Sequence, residues 1–290
     1  MIVLKNVGYD SFYATILKNI NLYVKSGEVV AVVGPNGSGK TSLLKLLTNQ
    51  VEPTSGELFL LGKTHNDPDF KLALKFVTYL GNGFYLDLDE TVLQHLKKFT
   101  SEHKLTEYYV FDLANRLQLR LFRKLNELSI GEQQRLNILK CFANPGKIIV
   151  LDNPTDNLDP FIKEVVYDLI REAQANNSAI LLTSNDLYEV EKIANRLVFL
   201  IDGQIELDKT LEELKRPKER IVKVMNTDHI IILKDLVLEG YDETSYTYRY
   251  TGSMDKLLKY LSDFELFSFT IEEVSLYENI KRYCNRLAYK

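Results

Sequence analysis

GPNGSGKT, Gly34 to Thr41, follows the apolar run EVVAVV (Glu28–Val33) and opens onto SLLKLL (Ser42–Leu47). The run meets the spacing G-x-x-x-x-G-K-[ST] at every required position. A β-rich run, a glycine-rich turn and helical apolar spacing in that order aim backbone N–H groups into the turn and set the positive end of a helix beside them. That is a cradle for phosphate. In this reading Gly34, Pro35, Asn36, Gly37, Ser38, Gly39, Lys40, Thr41 and Ser42 hold the phosphates of a nucleotide. Lys40 reaches the β- and γ-phosphates, and the Thr41 hydroxyl ligates Mg²⁺.

Upstream of the cradle, the β-rich runs IVLKNVGY, NINLYV and EVVAVVG alternate with turn residues such as Lys25-Ser26-Gly27. They predict antiparallel strands leading into a buried one at Val29–Val33. Downstream, Leu88 to Gln134 carries helical spacing, clearest in LQHLKKF and VFDLANRLQLRL. From Ile148 onward IIVLD, FIKEVVYDLIREAQ, AILLTS, LYEVEKIANRL and VFLID alternate strand and helix, the pattern of a parallel sheet with covering helices. The charged segment TLEELKRPKER, with Pro217, marks a boundary. Beyond it RIVKVMN, IIILKDLVL, SYTYRYTG and LLKYLSDF predict a small α+β appendage, in which the tyrosine-rich run reads as an ordinary strand. The expected division is residues 1–210 as an ATP-binding domain, with a helical subdomain at about 83–135, and 211–290 as an accessory domain.

The 290 residues are 45% hydrophobic, enough to bury a full core, and carry a net charge of −4. Acidic and basic residues are interspersed, so no basic stripe suggests nucleic acid as a partner. Cys141 and Cys284 lie far apart without metal-ligand spacing, which points to neither a metal site nor a disulfide framework. No apolar run approaches the roughly 18 residues of a membrane span. Work at a membrane would require another chain to cross it.

Asp152 closes a second apolar run, KIIVLD, and pairs with the cradle as a magnesium residue. Between the two lies LSIGEQQR, Leu128 to Arg135. With this segment in place, residues 1 to about 210 resemble the ATP-binding subunits of ABC transporters, whose signature segment opens a helix. The fold this implies is the ABC-type ATPase variant of the α/β P-loop NTPase fold: a mixed sheet with covering helices, an antiparallel β subdomain and a helical subdomain. The resemblance also implies ATP and Mg²⁺ as cofactors, an integral membrane permease as partner, and a homo- or heterodimer of ATP-binding subunits. A place on the cytoplasmic face of the membrane, held through that permease, follows from the same likeness. In such a dimer Ser129 and Gly131 would face the γ-phosphate held by the partner, and a serine N-cap at a helix end suits that role. The segment Asp156-Asn157-Leu158-Asp159 resembles the family's D-loop, and FTIEEVSLYENI (Phe269–Ile280) resembles the tail of its ABC-2 export branch.

Three positions depart from the family pattern in one direction. Asn153 stands where the resemblance implies the glutamate that polarises the attacking water, Asn185 where it implies the switch histidine, and Asn82 where it implies the glutamine that senses magnesium and the permease. An amide accepts no proton at neutral pH, so general-base catalysis through Asn153 is lost. The signature itself carries Ile130 and Glu132 in place of glycine and glutamine; Ile130 costs little if its position is already helical. Ser11 stands where the resemblance implies the adenine-stacking aromatic, with Phe12 or Tyr9 as its substitute. The expected activity is transport-coupled ATP hydrolysis, weak at the chain's own site. The alternatives are a non-catalytic, ATP-responsive regulatory subunit, and hydrolysis through another water-positioning group such as Asp159 or Asp186.

Overall fold

The computed structural model describes residues 1–81, 89–214, 219–225, 231–262, 268–275 and 277–279. The chain divides into two compact units, Met1–Lys209 and Thr210–Lys290. Unit 1 holds β1 (Ile2–Asp10), β2 (Thr15–Val24), β3 (Val29–Val33), α1 (Lys40–Leu47), β4 (Ser55–Leu60), β5 (Lys63–Thr64), α2 (Phe70–Leu74) and β6 (Val77–Leu80). It continues through α3 (Val92–Glu102), α4 (Glu107–Arg116), α5 (Ile130–Ala143), β7 (Ile148–Asp152), α6 (Pro160–Ala175), β8 (Ala179–Thr183), α7 (Leu187–Ile193), β9 (Arg196–Ile201) and β10 (Gln204–Thr210).

Its main sheet runs β10-β9-β3-β8-β7-β6, and the pairings β9/β3, β3/β8, β8/β7 and β7/β6 are parallel. Every residue of β3, β7 and β8 is buried, as expected of runs without polar alternation that are covered on both faces. A second sheet, β2-β1-β4-β5, is antiparallel and contributes Ile2, Leu4, Leu17, Ile20 and Leu58 to the same core as Val30, Val32, Leu43 and Leu47. The mixed α/β architecture anticipated from the run order is the one that forms.

Helix ends carry their own chemistry. Thr91 and Gln94 close a capping box on α3. Asp159 caps α6 with Pro160 in its first turn, and Asp186 caps α7. The helical pattern of VFDLANRLQLRL is realised only to Arg116. There Leu117 caps α4, Gln118 takes a φ of 52°, and Leu119 turns inward. Among the described residues no helix is long and apolar enough to cross a membrane. Cys141 is buried, and burial pushes its thiol up to about 12, so it behaves as a small core residue. Cys284 lies outside the described residues.

Unit 2 comprises α8 (Leu211–Leu214), β11 (Arg220–Met225), β12 (Leu236–Tyr241), β13 (Ser245–Tyr250), α9 (Met254–Leu261) and β14 (Ser268–Glu273). Its antiparallel sheet is ordered β12-β13-β11-β14. Val222, Val224, Ile231, Tyr248, Tyr250, Leu257 and Leu261 form its core, so the tyrosine-rich strand is largely inward. The buried hydroxyls are satisfied: Tyr248 accepts from the Ile231 N–H at 2.9 Å, and Tyr250 donates to the Ser253 carbonyl at 2.8 Å. Among the described residues of IIILKDLVL the strand starts at Leu236, after Asp235 at a φ of 68°.

Candidate functional site

The glycine-rich turn leaves β3 and enters α1. A Cβ on Gly34 would stand 2.0 Å from the Leu200 carbonyl oxygen, and Gly39 has a φ of 104° with a Cβ position 2.7 Å from a Leu17 methyl carbon. Backbone packing excludes a side chain at Gly34, and the left-handed φ disfavours one at Gly39. Gly37, with a φ of 82°, meets nothing within 4 Å at its Cβ position and keeps the cradle open.

Lys40 lies against the turn, its ammonium donating to the Gly34 carbonyl at 2.6 Å and the Pro35 carbonyl at 3.0 Å. Burial pushes the Lys40 ammonium down from its ordinary value, and the Asp152 carboxylate partly offsets that. Ser42 follows in the first turn of α1. Phe12 is fully exposed on the β1–β2 turn, between Ser11 and Ala14, whose backbones are bonded to each other.

Asp152 ends β7 and is 5% exposed. Its Oδ2 accepts from the Thr41 hydroxyl at 3.4 Å, and its Oδ1 accepts from the Thr183 hydroxyl at 2.7 Å. The alignment is set by strand pairing, which places Asp152 beside Thr183 across β7 and β8. Thr183 also accepts from the Asn153 N–H at 3.0 Å, closing a small network at the C-terminal ends of β7 and β8. Asn153 adopts a φ of 46°, a left-handed conformation that asparagine tolerates better than most residues. Its side-chain amide donates weakly toward Asp152 Oδ1 at 3.4 Å, while its Oδ1 is buried without a partner. Asn185 is exposed on the turn after β8. Asn82 lies outside the described residues.

The donor set fits Mg·ATP. Among the described residues no group of three His, Cys, Asp or Glu could hold a metal, so a magnesium ion would rest on the Thr41 hydroxyl, Asp152 and phosphate oxygens. Ser38 Oγ and Asn153 Oδ1 are buried polar atoms left without partners in the cradle and beside Asp152. Such atoms are costly unless a ligand or water satisfies them.

The segment LSIGEQQR forms the head of α5. Ser129 is the N-cap, with φ −63° and ψ 162°, and Ile130 is the first helical residue, 70% exposed. Ile130 therefore meets no backbone strain, which settles the expectation attached to it. Gly131 has a reason that the segment alone does not disclose: a Cβ there would come within 2.7 Å of the Asn157 carbonyl oxygen. Gln134 donates to the Pro154 carbonyl at 3.1 Å, and Arg135 pairs with Asp159 at 2.6 Å. The head of α5 is thus stitched to the loop after β7 of the same chain.

Both carboxylates read as alternative water-positioning groups are engaged. Asp159 caps the Phe161 and Ile162 N–H groups and pairs with Arg135. Asp186 caps the Tyr188 and Glu189 N–H groups.

Glu189, 2% exposed, is a site residue that the linear reading missed. It accepts from the Thr155 hydroxyl at 2.7 Å and the Ser184 hydroxyl at 2.6 Å, tying the loop after Asp152 to the turn that carries Asn185. The available signal was its place on the inward face of LYEVE, where a carboxylate needs partners. Burial pushes its carboxyl above the ordinary value of 4.5, outweighing the two hydroxyl bonds. A raised folded-state pKa means that Glu189 favours the folded state fully below 4.5, and that this contribution is lost as pH rises through the raised value. Glu189→Gln should therefore gain stability over the unsubstituted chain at pH 8, with the gap closing as pH falls toward 4.5. Urea unfolding across that range reads the difference, and a gap that widens on acidification contradicts it.

The family model described as ABC transporter matches residues 17–156, from the second strand through the cradle and Asp152 to the start of the following loop. A lantibiotic transport ATP-binding protein, SrtF of Streptococcus pyogenes, is 30% identical over 74% of this chain and 95% of its own length. The glutamine transport ATP-binding protein GlnQ of Escherichia coli is 31% identical over 72% of this chain and 90% of its own. Among solved structures, an ATP-binding subunit of an ABC transporter superposes with a TM-score of 0.67 at 23% identity, over 75% of this chain and 92% of that one, and shows the fold. A dimeric bacterial ABC transporter cassette superposes with a TM-score of 0.63 at 27% identity, over 73% and 99%. With its phosphate cradle, its Thr41–Asp152 pair and these relatives matched over most of their length, the chain belongs to the ATP-binding proteins of ABC transporters.

Proposed function

We propose that this chain binds Mg·ATP, pairs with a second ATP-binding subunit and drives a separate membrane permease, with weakened hydrolysis at its own site. The observation that carries the reading is the contrast within a few residues of one strand end. Thr41 and Asp152 stand hydrogen-bonded together where a magnesium ion would sit, whereas the neighbouring Asn153 offers an amide in a left-handed turn.

Residues Gly34 to Ser42 would wrap the phosphates, with Lys40 leaving the Gly34 and Pro35 carbonyls to meet the β- and γ-phosphates. Magnesium, when bound, neutralises phosphate charge and orients the transferring group. Thr41 and Asp152 would hold it, Thr183 fixes the Asp152 carboxylate by donating to it, and Phe12 would cover the base from the β1–β2 turn. Asn153 and Asn185 can orient a water or a phosphate oxygen but remove no proton; Asn82 completes the set of amide replacements. Loss of a positioned base slows such a reaction about 10²- to 10⁴-fold. Ser129 and Gly131 would complete the site held by the partner, so the dimer can contain one slow site and one fast site. The working place is the inner face of a membrane, with the permease as anchor, and the tail resemblance of Phe269–Ile280 favours export.

The test is Ser129→Arg. A bulky cation at the exposed head of α5 should impair turnover by the assembled dimer at least tenfold, while Mg·ATP affinity of the isolated chain stays unchanged by calorimetry. Equal loss of both would defeat the shared-site dimer.

A further inference from the structure

The head of α5 already holds an anion, and the anion is its own. Ser129 has one hydroxyl proton, and an ionised carboxylate only accepts, so at 2.9 Å the hydroxyl donates to Glu132 Oε2. The Ser129 N–H donates to the same oxygen at 3.0 Å. Both donors that this residue has for a phosphate are committed. The Glu132 side chain is only 12% exposed, and guanidiniums flank it: Arg123 lies 3.3 Å from Oε2, and Arg120 lies 3.7 Å from Oε1. Gln118, Arg120, Ser129, Glu132 and Arg135 line one open cavity around it. Burial raises the Glu132 carboxyl, but the Ser129 bonds and the arginines prevail and hold it below its usual range. It is therefore a full negative charge at neutral pH, and a phosphate and a carboxylate repel each other at one helix end.

We propose that Glu132 is an internal competitor for the anion site at Ser129, and that Arg120 and Arg123 are the berth to which its carboxylate withdraws when a phosphate arrives. The proposal rests on the shared-site dimer above and adds regulation of that site by the chain's own side chain. In the resting chain the site is filled, so closure around nucleotide must first displace Glu132. Arg120, 66% exposed at its side chain, makes that displacement feasible because it faces Oε1, the carboxylate oxygen that Ser129 does not hold. The device sets a threshold for dimer closure without touching the chain's own phosphate cradle.

The experiment measures Mg·ATP-driven dimerisation by sedimentation velocity, using the full chain together with any ATP-binding chain that co-purifies. Mg·ATP affinity is measured in parallel by calorimetry. Glu132→Gln removes the charge and retains a capping side chain, and it should tighten ATP-driven association about tenfold or more, the scale of one charge-assisted hydrogen bond. Glu132→Ala should act in the same direction, although it loses the cap. Arg120→Ala should weaken association in the unsubstituted background and do nothing in the Glu132→Gln background, a coupling that a merely structural role would not produce. Association unchanged or weakened in Glu132→Gln overturns the competitor while leaving the dimer intact. Absence of ATP-driven association in every form, with Mg·ATP binding preserved, overturns the dimer and the competitor together.

Discussion

Lys40→Ala is expected to weaken Mg·ATP binding by two orders of magnitude or more in isothermal calorimetry. One or two hydrogen bonds from an ammonium to phosphate oxygens contribute about 1.5–3 kcal/mol each, and about 1.4 kcal/mol is a factor of ten. The loss should not reflect unfolding. Lys40 donates to two carbonyls of the turn, Gly34 and Pro35, and although these are ammonium bonds too, Gly34 is only half-buried and Pro35 is exposed, so water takes the place of the lost donor and the net cost is about 1 kcal/mol. Gly34 remains packed against the Leu200 backbone and Gly39 keeps its left-handed φ, so the turn keeps its shape. A melting temperature within a few degrees of the unsubstituted chain is the accompanying control. Retained affinity in a folded variant would mean that the cradle does not hold the nucleotide.

Asn153→Glu, alone and with Asn185→His, should raise steady-state Mg·ATP turnover above the level of the unsubstituted chain, with Lys40→Ala as the blank. The double variant should approach the 10²- to 10⁴-fold that a positioned base supplies. The geometry sets a cost. Asn153 sits at a φ of 46°, where glutamate is less at home than asparagine, and the exchange also loses the 3.4 Å amide contact to Asp152. About 1 kcal/mol of stability should be lost, readable as a lower urea midpoint. The backbone anchor from the Asn153 N–H to Thr183 survives the substitution, so the new carboxylate starts beside Asp152 at the right strand end. No gain in the double variant would show that more than the two side chains has changed at this site, and would favour a subunit that responds to ATP without hydrolysing it.

Turnover in the unsubstituted chain would need a different base. Asp159 and Asp186 are poor candidates because each has a carboxylate oxygen committed to N–H groups of the helix it caps. Asp159 is further held by Arg135. The amide positions therefore remain the place where hydrolysis is to be restored.

Much of the site was legible because its logic is local. The spacing of Gly34, Gly37, Gly39, Lys40 and Thr41 encodes a turn, a helix start and the groups that point into the turn, all within a few residues. Ser129 as a cap was equally local, since a serine followed three residues later by glutamate closes a capping box. Errors arose where local pattern met tertiary demand. The run VFDLANRLQLRL keeps its apolar residues beyond Arg116, yet the chain leaves the helix at Leu117, and Gln118 in a left-handed turn precedes the buried Leu119.

By itself the sequence determined the α/β fold, the order of its elements, the glycine-rich turn between β3 and α1, and Asp152 at a strand end. These are properties of periodicity and of side-chain chemistry, which a linear string carries whole. Only the tertiary structure decided why Gly131 must lack a side chain, that Thr183 steers Asp152, that Glu189 ties two site loops together, and that Glu132 occupies the donors of Ser129 between two arginines. Most of these are distances between residues separated along the chain, set by which strands lie side by side and which loops a helix head meets. Burial then fixes what each polar group must do, because away from water a donor, an acceptor or a charge is stable only with a partner.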